Sequence, residues 1–207
     1  MNGLFITFEG PDASGKTTQI RLLAERLVSS GIKPVITREP GGTPVGEKIR
    51  EILLDKENKD ITPVTEMLLY AASRAQHVAR VIKPALEAGL IVISDRFYDS
   101  SEAYQGFGRG LGGMVRTVNE PAVDGIKPDV TFLLMAAPAD VSDRRSAADL
   151  DRMDAENISF RERVTAGFET IAARDSERIL MIDGTRSIES IASEIAEYVG
   201  RLLGRTL

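Results

Sequence analysis

The sequence predicts an α/β fold, a five-stranded parallel sheet with helices on both faces and a short mobile lid. Three observations carry this expectation. Five short apolar runs alternate with stretches of helical periodicity. A glycine-rich loop, GPDASGKT (10–17), joins the first apolar run to a helix. Charged residues stand where two other runs stop, as Arg38-Glu39 and Asp95-Arg96.

The runs are LFITFE (4–9), PVITRE (34–39), LIVISD (90–95), DVTFLLM (129–135) and RILMIDG (178–184). They are too continuous for alternating surface strands and read as strands covered on both faces. The first helix, QIRLLAERLVSSG, ends at Gly31 as a C-cap. A second long helix starts at Thr62, which caps it with Pro63 in the first turn, and runs to about Gly89; Pro84 ends or kinks it. Residues 187–203 form a last amphipathic helix with Ile188, Ile191, Ile195 and Val199 or Leu202 on one side. Right-handed crossovers then make one domain of residues 1–207. The stretch ADVSDRRSAADLDRMDAEN (139–157), dense in both charges, fits a surface lid better than a core element.

Composition narrows the function. With 207 residues, 43% hydrophobic and 28% charged, the chain suits a soluble globular domain with a real core. A net charge of -5 argues against broad nucleic-acid binding, so phosphate chemistry must use local Lys and Arg clusters. The absence of cysteine excludes disulfides, thiolate metal sites and a Cys nucleophile. The only histidine, His77, reads as a surface residue without a role. No apolar stretch approaches membrane-spanning length and no signal-peptide pattern opens the chain, so the expected compartment is the cytoplasm.

The loop fits G-x-x-x-x-G-K-[ST] through Gly10, Gly15, Lys16 and Thr17, with Pro11, Asp12, Ala13 and Ser14 between the glycines and Thr18 after them. Its glycines let successive N–H groups face phosphate oxygens, and the following helix adds its positive end. Lys16 suits the β and γ phosphates of a nucleotide, and Thr17 suits Mg²⁺. Alone, the loop leaves a small-molecule kinase, a GTPase switch and an ATPase motor open. Asn58-Lys59-Asp60 is a poor guanine-reading string, in the wrong region, and no D-x-x-G follows a strand.

The acceptor side is read from strand tips. Asp95 ends an apolar run at the ligand-binding edge of the sheet, where it suits Mg²⁺-bound water or proton acceptance. Arg96 suits a phosphate clamp, although a purely structural Asp-Arg pair has the same pattern. TREPGGT (37–43) brings Arg38 and Glu39 to the same edge, and GEKIREILL carries Arg50 on a helix. Tyr70 and Arg74, four apart, share a helix face. That pair suits stacking on a base and donation to its carbonyl, and equally an ordinary amphipathic helix with Arg74 in solvent. Ser100, Ser101, Tyr104 and Gln105 follow Asp95-Arg96 and suit a pyrimidine edge.

The strings FEGPDASGKTTQ, TREPGGT, YAASRAQH, DRFYDSSEAYQGFGRG, KPDVTFLL and LDRMD occur in this order. Together they resemble thymidylate kinases, the dTMP kinases of the nucleoside monophosphate kinase group, over essentially the whole chain. The resemblance implies a P-loop NTPase fold, a homodimer, and transfer of the γ-phosphoryl of ATP to dTMP with Mg²⁺ in dTTP synthesis. It implies that Tyr70 stacks on the base, Arg74 bonds a thymine carbonyl, Ser101 meets the N3 edge and Tyr104 crowds the sugar. Arg96 falls on the acceptor phosphate, with Arg50 as a further phosphate contact, Asp95 near the metal, Glu39 near metal and acceptor phosphate, and Asp12 on the 3′-hydroxyl.

Ala13 stands where some members carry an arginine that stabilises the transferring group. The bacterial type without it supplies lid arginines, here Arg144, Arg145 and Arg152. Arg145, then Arg152, is the expected catalytic cation, although Ala147 departs from an arginine found in some lids. The rival readings are a kinase for another nucleoside monophosphate and a nucleotide-dependent regulatory ATPase.

Overall fold

The structure, a computed structural model, describes residues 3–135, 152–153 and 156–207. All five apolar runs are strands: β1 (Leu4–Glu9), β2 (Val35–Arg38), β3 (Ile91–Asp95), β4 (Val130–Met135) and β5 (Ile179–Asp183). They form one parallel sheet in the order β2-β3-β1-β4-β5. The central strands are buried as expected. The edge strands are not covered throughout, since Ile36 and Met181 are each more than half exposed. An edge strand has a neighbour on one side only, so continuous apolar sequence does not guarantee cover there.

The helices follow local sequence closely. α1 (Lys16–Ser29) ends where Gly31 takes a left-handed φ of 81°. α2 (Pro44–Leu54) is capped by Thr43, whose hydroxyl accepts from the Gly46 N–H, and its proline takes the first turn. α3 (Pro63–His77) starts on the Thr62 cap in the same way. The expected single helix up to Gly89 is a wide π-helical turn (Val78–Ile82) and then α4 (Lys83–Glu87). Pro84 has no N–H and crowds the preceding turn, which accounts for the change of pitch. Next come α5 (Tyr98–Ser101), a π-helical stretch (Glu102–Gly108) and α6 (Met114–Val123). α7 (Ile158–Arg174) and α8 (Ile188–Leu203) follow. Along α8, Ile191, Ile195 and Val199 are buried, while Ile188 and Leu202 are exposed.

One face of the sheet packs Ile6, Phe8, Ile93 and Phe132 against Leu23 and Leu27 of α1 and the apolar stripe of α8. On the other face Phe5, Val92 and Phe97 meet Val78 and Ile82. Each such side chain contributes about 1.5–3 kcal/mol on burial. This packing fixes the strand register, and the register aligns the strand tips. Asp95 lies opposite Phe8 on one side and Arg38 on the other. Glu9, Arg38-Glu39 and Asp95-Arg96 therefore converge at one edge.

A buried pair ties this edge to the far strand. Arg178 donates to both oxygens of Asp99 at 2.8 and 2.9 Å and to the Thr131 hydroxyl at 2.6 Å. Arg178→Ala would strand the Asp99 carboxylate, so a loss of about 3–5 kcal/mol is expected in urea denaturation. Adding Asp99→Asn to that variant restores part of the loss; equal stability of the single and double variants contradicts the coupling.

Candidate active site

Two adjoining clefts open at the carboxyl edge of the sheet. The first surrounds the loop 10–18. Gly10 has φ 132°, and a Cβ there would lie 2.1 Å from the Leu134 carbonyl oxygen, so only glycine fits. Ala13 is also left-handed, at φ 60°, where its side chain is the smallest that carries a Cβ. The Lys16 ammonium is buried and donates to the carbonyls of Gly10 (3.0 Å) and Pro11 (2.7 Å). Burial, then the neighbouring Arg96, lowers its pKa to about 8. The Thr17 hydroxyl donates to Asp95 at 3.2 Å.

These groups fit Mg²⁺. Thr17 and Asp95 offer hard oxygen donors side by side. Among the described residues no group of three or more His, Cys, Asp or Glu side chains forms a metal cage.

The second cleft is lined by Tyr70, Arg74, Ser101, Tyr104 and Gln105, together with Pro40, Leu54 and Met153. Asp12, Glu39, Arg50 and Arg96 border both clefts. Arg96 has φ 70° and donates to the Gly10 carbonyl at 2.8 Å, the Ser100 hydroxyl at 2.9 Å and the Asp12 carboxylate. Its guanidinium lies over the Tyr104 ring, 5.3 Å from the centroid. The Tyr104 hydroxyl donates to the other Asp12 oxygen at 3.4 Å, and Arg50 donates to the Pro40 carbonyl at 3.0 Å. The Ser101 hydroxyl is buried and has no hydrogen-bond partner among the described residues, an arrangement that invites a ligand atom. Gln105 donates to Glu66 at 2.9 Å.

Two expectations are corrected here. Arg74 is not on a solvent face; it is fully buried, donating to Glu39 (2.8 Å), to the Phe97 carbonyl (3.1 Å) and to Asn119. His77 is not a surface residue. It is fully buried, 2.6 Å from the Thr37 hydroxyl and 2.9 Å from the second oxygen of Glu39. Helical periodicity placed it beside Arg74 but gave no sign that the turn after β2 closes over that face.

Sequence reasoning assigned no role to Glu9, at the inner end of β1. One of its oxygens accepts from the N–H groups of Phe97 (2.7 Å) and Ser100 (3.3 Å), the other from the Ser100 hydroxyl. Burial, then Asp99, raises its pKa to about 7. Its only sequence signal was an acid closing the apolar run LFITFE. Glu66 was also missed. It receives Arg109, Gln105 and Arg152, and although burial pushes its carboxyl up, those hydrogen bonds hold it below the usual range.

Arg152 donates to Glu66 at 2.6 Å and to the Leu53 carbonyl at 2.8 Å, and it does not line the loop cleft. Arg144, Arg145, Ala147 and most of the expected lid lie outside the described residues.

Comparison with known proteins bears on this geometry. A family model described as thymidylate kinase matches residues 8–195. A thymidylate kinase of an Exiguobacterium species is 50% identical over 200 residues, covering 96% of this chain and 94% of that one. One from Thermoanaerobacter pseudethanolicus is 48% identical over 204 residues, covering 98% and 100%. The crystal structure of thymidylate kinase from Ehrlichia chaffeensis superposes with a TM-score of 0.77 at 34% identity, covering 96% of this chain and 99% of that chain. With matches of this extent, the chain belongs to the thymidylate kinase family.

Proposed function

We propose that the two clefts hold ATP and dTMP, and that the chain transfers the γ-phosphoryl group of ATP to the 5′-phosphate of dTMP, a step of dTTP synthesis. The observation that carries this reading is the shared wall: Asp12, Glu39, Arg50 and Arg96 border both clefts, so a donor and an acceptor phosphate meet between them.

The triphosphate lies on residues 10–18, with Lys16 at the β and γ oxygens. Thr17, and Asp95 through water, would hold Mg²⁺, which would supply neutralisation of charge on those oxygens when bound. Thymine stacks on Tyr70, its carbonyl accepts from Arg74, and its N3 edge meets the Ser101 hydroxyl. Gln105 completes the pocket, Tyr104 crowds the sugar and Asp12 receives the 3′-hydroxyl. Arg96, with Arg50, holds the acceptor phosphate in line. An acceptor oxygen forms the new bond to the γ phosphorus as the bridging bond breaks, and ADP leaves with that electron pair. The acceptor is already anionic, so no strong general base is needed. Residues 139–157 act as a lid on a single domain, and Arg145 is the lid cation that meets the transferring charge. The enzyme works as a homodimer in the cytoplasm. Among the described residues no helix is long and apolar enough to cross a membrane.

Three outcomes are expected. In a coupled assay dTMP is turned over faster than UMP, CMP or AMP; faster turnover of any of these overturns the substrate assignment. ATP hydrolysis with no phosphorylated acceptor would instead favour a regulatory ATPase. Second, phosphate oxygens should restore the charge on Lys16, whose pKa of about 8 is depressed in the free protein. Binding of ATP·Mg²⁺ at pH 8 therefore takes up about half a proton and at pH 6.5 almost none. Calorimetry in buffers of different ionisation enthalpy reads this directly, and Lys16→Met abolishes it. Third, Arg145→Ala lowers kcat by about 10³-fold, the magnitude of an arginine finger; unchanged activity moves that role to Arg152 or Arg144.

A further inference from the structure

His77 is the only histidine in the chain, it is fully buried, and the mechanism above does not use it. Both ring nitrogens are engaged. Nδ1 lies 2.9 Å from Glu39 Oε1, and Nε2 lies 2.6 Å from Thr37 Oγ1. An ionised carboxylate only accepts hydrogen bonds, so Nδ1 carries the proton. Nε2 shares a hydrogen bond with the Thr37 hydroxyl. The turn after β2 is shaped around this ring. A Cβ on Gly42 would come within 2.7 Å of it, and the Gly41 N–H donates to Ser73, on α3 with His77.

Glu39 passes this constraint on. Its Oε2 accepts from Arg74 Nε at 2.8 Å. Arg74 Nη1 donates to Asn119, and Nη2 to the Phe97 carbonyl at 3.1 Å. Three of the five N–H groups of the guanidinium are thus spent on fixing its plane, and two remain for the acceptor cleft that Arg74 lines. Without the imidazole, Glu39 has a bond on one oxygen only and is free to turn about its last side-chain bond. The plane of Arg74 then loses its reference.

We propose that His77 is a positioning residue for the acceptor. Clamped by Thr37, it orients Glu39, and through Glu39 it aims Arg74 at the nucleobase. The proposal rests on the reading of this cleft as the dTMP site, and it extends that reading to a residue outside the cleft wall. An ordinary core histidine would affect folding alone. A positioning histidine makes the acceptor KM move while the ATP KM stays.

The test begins with wild-type enzyme. If it neither binds nor phosphorylates dTMP, the assignment of the cleft fails, whatever His77 does. Given normal wild-type activity, His77→Leu raises the KM for dTMP about tenfold, the usual scale for losing one hydrogen bond to a buried charged group. The ATP KM changes less than twofold. His77→Asn keeps a donor near the Nδ1 position and recovers most of the loss. Should His77→Leu not fold, Thr37→Val leaves the ring but removes its clamp, and raises the dTMP KM about threefold. The single imidazole also gives one pair of ¹⁵N resonances, with a protonated Nδ1 that shifts when dTMP is added. An unchanged dTMP KM in the folded Leu variant, or in the Val variant if that one is needed, overturns the proposal, as does a protonated Nε2 with bare Nδ1.

Discussion

Two anions have to be brought together in a protein of net negative charge, and Arg96 borders both clefts. The backbone takes a left-handed turn at this residue directly after β3, which throws the guanidinium back over the phosphate loop. One fork then joins the Gly10 carbonyl, the Asp12 carboxylate and the Ser100 hydroxyl. The donor loop, the third strand and the start of α5 are thereby held around a single cation. A non-glycine residue at positive φ costs on the order of 1–2 kcal/mol, so the surrounding bonds must over-determine it.

The same device recurs around both clefts. Behind Arg74 stands Glu39; behind Arg109 and Arg152 stands Glu66; behind Arg96 stands Glu9, acting through Ser100. Burying such pairs is seldom a source of net stability, because the desolvation penalty is as large as the attraction. The sheet and its two apolar layers supply the stability. What the carboxylates contribute is direction: an arginine with one side pinned can present only its remaining N–H groups to a ligand. Glu39 and Asp12 share the cleft walls with Arg74 and Arg96, so each acid there holds a cation in place without leaving the wall.

Much of this was legible in the sequence. Parallel strands must be apolar along their length, so all five runs stood out, and the caps at Thr43 and Thr62 are written in local order. The phosphate loop was legible because its backbone demands glycine at fixed spacing. The supports were not. Glu9 meets Phe97 and Ser100 about ninety positions away, and Arg74 meets Glu39 and Asn119 from opposite directions along the chain. Such partners are set by sheet order, which a strand pattern does not reveal. His77 misled for the same reason: a polar residue on an amphipathic helix looks solvated until another segment covers it.

The surroundings of Arg152 bear on where the cation missing at Ala13 is to be found. Arg152 bonds Glu66 and the Leu53 carbonyl, and Glu66 also holds Gln105 and Arg109, which in turn pairs with Glu156. Moving Arg152 to the phosphates would leave that carboxylate one donor short inside the protein, at a cost of the order of 1–3 kcal/mol or more. The gain would have to exceed this in every turnover. An arginine without such a bond carries no comparable cost. Arg152 is better suited to brace Glu66 than to serve as a working cation, and Glu66 also holds Gln105 at the acceptor cleft. One buried carboxylate thus ties Arg152 and the wall of the acceptor pocket to the same point.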